Sequence, residues 1–99
     1  MQEDYYILEN RQPKIVSELE HAKWFRTENK NVAFTELPGG VKISTDFIGY
    51  KPPSSEIPIL FETAISGGEH DGYEERFETW EEAEEGHKDA IRLVVNNPD

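Results

Sequence analysis

The chain has 99 residues and a formal net charge of −11, with 21 acidic and 10 basic side chains. That length accommodates one domain, residues 1–99, around a single core. The acidic excess disfavours direct binding of DNA or RNA, whose phosphates require basic contacts. The sequence contains no cysteine, which excludes disulfides and thiolate chemistry. It opens with neither a basic leader nor a long apolar run, so we expect a cytoplasmic protein that is neither secreted nor membrane-spanning.

The first third of the chain predicts a hairpin followed by a helix. Residues 5–8 are rich in β-forming side chains, and residues 10–13 supply a turn. Ser17 and Glu20 have the spacing of a capping box, in which each side chain bonds a free backbone amide at the start of a helix. The apolar residues of this helix share one face and are Leu19, Ala22 and Phe25, with Trp24 at its edge.

The middle of the chain predicts an antiparallel sheet. Two β-rich runs flank Pro38, Gly39 and Gly40, a loop whose glycines can adopt positive φ, and this pattern is typical of a hairpin. The proline pair at 52–53 predicts a loop, because proline cannot join a hydrogen-bonded ladder. The predicted strands are residues 33–37, 41–48, 59–65 and 73–78. In the second of these strands, one face carries Val41, Ile43, Thr45 and Phe47.

A second capping box at Thr79 and Glu82 predicts a helix near the end of the chain. Its apolar stripe repeats at helical spacing and consists of Trp80, Ala83, His87, Ala90, Ile91 and Val94. The Asn-Asn-Pro sequence at 96–98 predicts where this helix ends. We therefore expect an α+β fold, in which a small antiparallel sheet of four to six strands carries two helices and the C-terminal helix packs on the sheet.

His87 lies on the predicted buried stripe beside Gly86, whose missing side chain permits the close approach of another element. We expect this imidazole to bond a backbone carbonyl or a glutamate in the core, because buried polar groups are almost always paired. The alternative is an imidazole that lines a pocket and donates to a ligand. Residues 69–71, Glu-His-Asp, are metal-binding residue types, but three neighbours in a glycine-flanked loop are typical of a polar turn, and we predict no metal site.

The sequence holds no nucleophile elbow, zinc-protease motif or phosphate-binding loop. We therefore predict a protein without catalytic residues or a cofactor. Aromatic side chains at strand–loop junctions offer stacking surfaces for planar bases, and basic side chains offer phosphate contacts. The predicted ligand-binding residues are Tyr50, Tyr73, Arg76 and His87. Further candidates for phosphate contacts are Lys42, Lys51 and Arg92.

Negative charge is concentrated towards the C-terminal end of the chain. Residues 69–99 hold eleven acidic and three basic side chains, whereas residues 1–68 hold ten and seven. A solvated face that keeps the protein soluble is the simpler interpretation. The alternative is a functional surface that docks on a basic partner. Under that alternative, the partner-binding residues are Glu81, Glu84 and Glu85.

Residues 44–49 (STDFIG), 58–68 (PILFETAISGG) and 76–87 (RFETWEEAEEGH) form a spaced pattern. This FET…GG…TWEEAE-GH pattern resembles that of a family of small, uncharacterised tailed-phage and prophage proteins, over roughly the C-terminal half of the chain. The chain departs from the family pattern at Asp46, at Ser66 and at the Lys-Pro-Pro of 51–53. The resemblance implies a phage accessory protein in the cytoplasm of a bacterial host. It supplies no catalytic or binding residues.

Small, acidic, non-enzymatic phage proteins often act against bacterial defence, and this association leads to our functional expectation. We expect a homo-oligomer that sequesters a nucleotide-derived immune signal in a pocket between protomers. One alternative is an acidic mimic of nucleic acid that occludes a basic surface of a host defence protein. Another alternative is a virion structural or assembly accessory.

Overall fold

A computed structural model describes residues 2–96, which form one antiparallel sheet and two helices. The strands are β1 (Asp4–Glu9), β2 (Gln12–Val16), β3 (Asn31–Leu37), β4 (Val41–Lys51), β5 (Ile59–Ser66) and β6 (Glu74–Phe77). The helices are α1 (Glu18–Thr27) and α2 (Trp80–Asn96). The predicted α+β class is confirmed, and the four predicted sheet strands and the N-terminal hairpin are all present.

The long strand β4 organises the sheet. The strands follow the order β2-β1-β4-β5-β6, and β3 also pairs with β4. β5 runs along one side of β4, while the other side is shared, with β3 on its first part and β1 at its end, where Tyr5 lies opposite Tyr50. The register of β4 against β5 shifts between Phe47 and Tyr50, which marks a bulge where the neighbour of β4 changes from β3 to β1. β6 is left at one edge of the sheet.

Helix α2 covers one face of this sheet. Because side chains alternate along a strand, every second residue of β4 and β5 points towards the helix. The buried side chains at these alternating positions are Val41, Ile43, Thr45, Phe47, Phe61, Thr63 and Ile65. Leu60 is also buried, but it precedes Phe61 and so falls outside this alternation. The buried residues of α2 are Ala83, Gly86, His87 and Ala90. The predicted inward face of β4 is therefore confirmed, and the small residues of α2 let its backbone lie close to the strands.

Helix α1 begins as predicted, but the face it buries is only partly the predicted one. Ser17 Oγ accepts from the Glu20 N–H at 3.2 Å, and the Glu20 carboxylate accepts from the Ser17 N–H at 3.5 Å. The predicted inward position of Phe25, with Trp24 beside it, is confirmed, whereas that of Leu19 and Ala22 was wrong, because Leu19 is 64% exposed and Ala22 is also exposed. The side chains that pack inwards are His21, Trp24 and Phe25. These rings lie at i, i+3 and i+4 and contact Tyr5 and Phe47, and aromatic side chains are large units of apolar burial.

Helix α2 begins with a variant of the predicted capping box. The Thr79 hydroxyl accepts from the Glu82 N–H at 3.1 Å, as predicted. The Glu82 carboxylate, however, accepts from the N–H of Glu78 at 3.2 Å, one residue before the expected donor. The helix is described through Asn96. The rest of its predicted end, at residues 97–98, lies outside the described residues.

Candidate functional site

His87 is buried and lies at the centre of a hydrogen-bonded network of threonines. Its Nδ1 is 2.8 Å from Thr45 Oγ1, and its Nε2 is 2.9 Å from Thr35 Oγ1. Thr45 Oγ1 is in turn 2.5 Å from Thr63 Oγ1. A neutral imidazole donates at one ring nitrogen and accepts at the other, and hydroxyl groups satisfy both. The expectation of a core histidine is confirmed, but its predicted partners were wrong, because strand hydroxyls take the place of a carbonyl or glutamate.

A threonine hydroxyl bonded to an imidazole is an arrangement that activates nucleophiles in some enzymes. Here Thr45 is 0% exposed and His87 is 4% exposed. A substrate arriving from solvent does not reach the Thr45 hydroxyl without displacing α2. The network pairs polar groups between the helix and three strands. Thr35, its outermost member, is partly exposed.

Acidification should destabilise the fold through His87. Burial lowers the pKa of His87, and the nearby Asp46 carboxylate opposes this shift. The unfolded imidazole titrates near pH ~6.5 and binds a proton more readily than the folded one, so stability should fall as pH drops below that value. Unfolding in urea at pH 7.5 and 5.5 should show a smaller pH-dependent loss for His87→Gln than for the wild type.

A second histidine provides the control for this measurement. Burial also lowers the pKa of His21, so His21 contributes to the loss of stability with the same sign. The His21→Gln variant isolates that contribution. An unchanged pH dependence in His87→Gln would show that the network already accommodates the imidazolium.

The predicted ligand residues Tyr50 and Tyr73 lie far apart within one chain. Tyr50 is paired with Ile59 at the start of β5, whereas the Tyr73 carbonyl accepts from the N–H of Ile65 at 3.0 Å near the end of that strand. Six residues of extended strand separate the two positions by about 20 Å. Both tyrosines therefore belong to one site only if a second protomer supplies one of them.

Both tyrosine hydroxyls also donate to carboxylates. Tyr50 bonds Glu3 at 3.1 Å, and Tyr73 bonds Glu75 at 2.5 Å. The hydrogen bond to Glu75 raises the pKa of Tyr73 to about 12. A phosphate placed beside either hydroxyl would meet a carboxylate of the same charge.

The other predicted ligand contacts are engaged within the protein. Arg76 Nε lies 3.1 Å from Glu62 Oε2, while His87 is enclosed in the core. Lys51 Nζ donates to the carbonyls of Pro52 and Ser55, and Arg92 forms an ion pair with Asp89. The four predicted ligand-binding residues do not meet in a common pocket of one chain, and a shared site across an interface stays a prediction.

An acidic groove runs between β6 and α2. Its volume is about 480 Å³. The lining residues are Arg76, Phe77, Glu78, Glu82, Glu85, Gly86 and Asp89. Phe77 packs against Gly86, where a Cβ would clash with the phenyl ring. This close packing holds the carboxylates of α2 beside the edge of the sheet.

The acidic groove contains one of the three predicted partner-binding residues. Glu85 lines it together with Glu82 and Asp89, which are spaced at i, i+3 and i+7 along one side of α2. Glu81 and Glu84 are exposed but are not among the lining residues. The spacing of the three acidic residues was visible in the sequence, whereas the position of β6 beside them required the fold.

The Glu-His-Asp segment at 69–71 forms part of a turn. Asp71 Oδ1 accepts from the N–H of Gly67 at 2.6 Å, which ties the end of β5 to the turn. Within the described part of the chain, no three histidine, aspartate or glutamate side chains are grouped so that they could hold a metal ion.

No family model, curated protein or solved structure matches the chain. The resemblance to phage proteins therefore stays a prediction from the sequence. Among residues 2–96, no helix is both long and apolar enough to cross a membrane.

Proposed function

We propose that this protein is a non-catalytic binding domain whose acidic groove docks on a basic surface of a partner protein. The proposal rests on the charge of the residues that line the groove. Four carboxylates line it, and Arg76, the basic residue among the described lining residues, is paired with Glu62. Complementary charge of this kind speeds association and selects among partners.

The groove retains its negative character despite two ion pairs on α2. Glu85 lies 3.4 Å from Lys88, and Asp89 pairs with Arg92. All four of these side chains are more than half exposed, and exposed pairs of this type contribute little energy. An arginine or lysine of a partner can therefore replace Lys88 and Arg92 beside these carboxylates with little loss of free energy.

We further propose that the partner is a bacterial defence protein and that docking occludes its basic surface. The phage-type sequence pattern supports this choice. Sequestration of a nucleotide-derived signal by a homo-oligomer remains a competing hypothesis. It receives less support from the geometry, because Tyr50 and Tyr73 bond carboxylates and Arg76 is already paired. The virion accessory hypothesis has no specific observation in its favour.

Removing charge from the groove should weaken binding of a basic probe. The groove variant carries Glu82→Gln, Glu85→Gln and Asp89→Asn, and glutamine at 82 keeps an oxygen that can accept at the helix start. We expect its affinity for a labelled oligoarginine peptide to fall by about tenfold or more at low salt. Fluorescence anisotropy measures the change, and wild-type binding should weaken steeply as added salt screens the charges.

A matched variant controls for net charge. Glu9→Gln, Glu28→Gln and Glu36→Gln also remove three exposed carboxylates, but from β1, the end of α1 and β3. This control should bind the peptide within about threefold of the wild type. Equal losses in the two variants would reject the groove as the docking site and leave only a nonspecific charge effect.

A further inference from the structure

Strand β6 exposes one side of its backbone at the edge of the sheet. The Ile65 N–H donates to the Tyr73 carbonyl at 3.0 Å, which fixes the direction of the ladder between β5 and the chain that leads into β6. In an antiparallel ladder, successive residues turn their backbone groups alternately towards and away from the neighbouring strand. Glu75 and Phe77 therefore face β5, whereas the N–H and C=O groups of Glu74 and Arg76 face outwards.

Two grooves meet along this edge. The acidic groove lies on the side of α2, and an apolar groove of about 340 Å³ lies on the side of the 52–58 loop. The apolar groove is lined mainly by Pro52, Ile57, Pro58, Ile59 and Phe77, and its polar lining residues are Ser55, Arg76 and Glu78. Ile57 is 68% exposed, which leaves an apolar side chain available beside the edge strand.

Charge disfavours a second copy of this chain as the occupant of the edge. A two-fold antiparallel pairing centred on Glu74, Glu75 or Arg76 sets that side chain opposite its own copy. Like charges opposite one another destabilise a strand pair. Such a pairing would also bring two acidic grooves together in a chain whose net charge is −11. Charged, short edge strands protect proteins against self-association in this way.

We propose that the edge of β6 binds an extended basic segment of a partner, which adds to the sheet as a further strand. Backbone bonds at Glu74 and Arg76 would hold the segment. Because strand side chains alternate, one set would face α2, where arginine or lysine meets Glu82, Glu85 and Asp89. The other set of side chains of the bound segment would face away from α2, and an apolar member of that set would reach the apolar groove. This inference rests on the proposed function and specifies the form of the partner.

Backbone methylation of a probe peptide tests strand addition directly. The parent probe is a labelled peptide of about seven residues in which arginine and valine alternate. Two derivatives carry N-methyl groups on all the arginines or on all the valines. An added strand turns only one set of amides towards β6, so we expect one derivative to lose about tenfold in affinity and the other to bind like the parent.

A pair of protein variants tests the same edge from the other side. Glu74→Pro removes an outward N–H at a position where an edge strand tolerates proline, and Glu74→Ala removes the same charge while keeping the N–H. We expect the affinity for the parent peptide to fall by about tenfold in the proline variant and by less than about threefold in the alanine variant. Circular dichroism checks that both variants keep the fold.

The outcomes separate this inference from the proposed function. If both methylated peptides bind like the parent while the groove variant still binds weakly, basic docking stands and strand addition is rejected. If the parent peptide does not bind at all, both proposals fail. A change of oligomeric state in Glu74→Pro, measured by sedimentation, would assign the edge to a second copy and overturn the inference.

Discussion

Gly86→Ala should destabilise the protein by about 2 to 4 kcal/mol, although the same change inside a helix normally stabilises by about 0.5 to 1 kcal/mol. The reversal follows from the packing of α2 on β6. A Cβ at position 86 would lie 2.5 and 2.6 Å from two ring carbons of Phe77. The ring must leave its place, and its packing is lost with it. Urea unfolding monitored by circular dichroism measures the difference.

Removal of the ring provides the control for this prediction. In a Phe77→Ala background, the ring that supplies the three nearest atoms to the added methyl group is gone, so Gly86→Ala should become neutral or stabilising. The double-mutant cycle then isolates the interaction between the two positions. A stabilising effect of Gly86→Ala in the wild-type background would show that α2 sits further from β6 than the structure places it.

This contact also links the fold to the proposed function. Phe77 and Gly86 form the floor of the acidic groove, and they set the distance between the carboxylates of α2 and the edge of β6. A larger residue at 86 would displace the Phe77 ring and so change the shape of the groove beside Glu82 and Glu85. Under our proposal, this glycine would place the edge of β6 and the carboxylates of α2 on one surface.

The parts of the fold that the sequence predicted well are those set by local chemistry. The capping pairs at Ser17 and Thr79 located the starts of both helices, because a cap involves residues only a few positions apart. The glycine-containing loop at 38–40 predicted the hairpin of β3 and β4 in the same way. The stripe of α2 was readable because small and apolar residues repeat at the helical period.

The parts that the sequence did not predict depend on contacts between distant residues. Leu19 has the correct spacing to pack inwards, yet it is exposed because the aromatic rings of α1 turn towards Phe47 instead. Thr35 and Thr45 resemble ordinary strand residues until the fold brings His87 between them. The acidic groove could not be predicted from the sequence either, because Glu78 lies next to the acidic residues of α2 only when β6 packs beside the helix.

Gly49→Ala should have a still larger effect, a loss of about 3 to 5 kcal/mol, because two penalties combine there. Gly49 lies in the bulge of β4 with a φ of +67°, a conformation that alanine disfavours. A Cβ at this position would also lie 2.5 Å from the Tyr6 carbonyl oxygen and 2.6 Å from the Phe47 ring. The carbonyl belongs to the backbone of β1, so it cannot move without disturbing the strand that joins the sheet at this point.

Gly39→Ala is the matched control, because it separates the conformational penalty from the steric one. Gly39 has a φ of +87°, and a Cβ there would have no atom outside its immediate chain neighbours within 4 Å. Gly39→Ala should therefore lower the free energy of unfolding only by the conformational penalty, about 1 to 2 kcal/mol. Thermal or urea unfolding of the two variants gives the difference. Equal losses would mean that β1 does not approach Gly49 closely. A larger loss for Gly49→Ala would show that β1 packs closely against the end of β4 at this glycine.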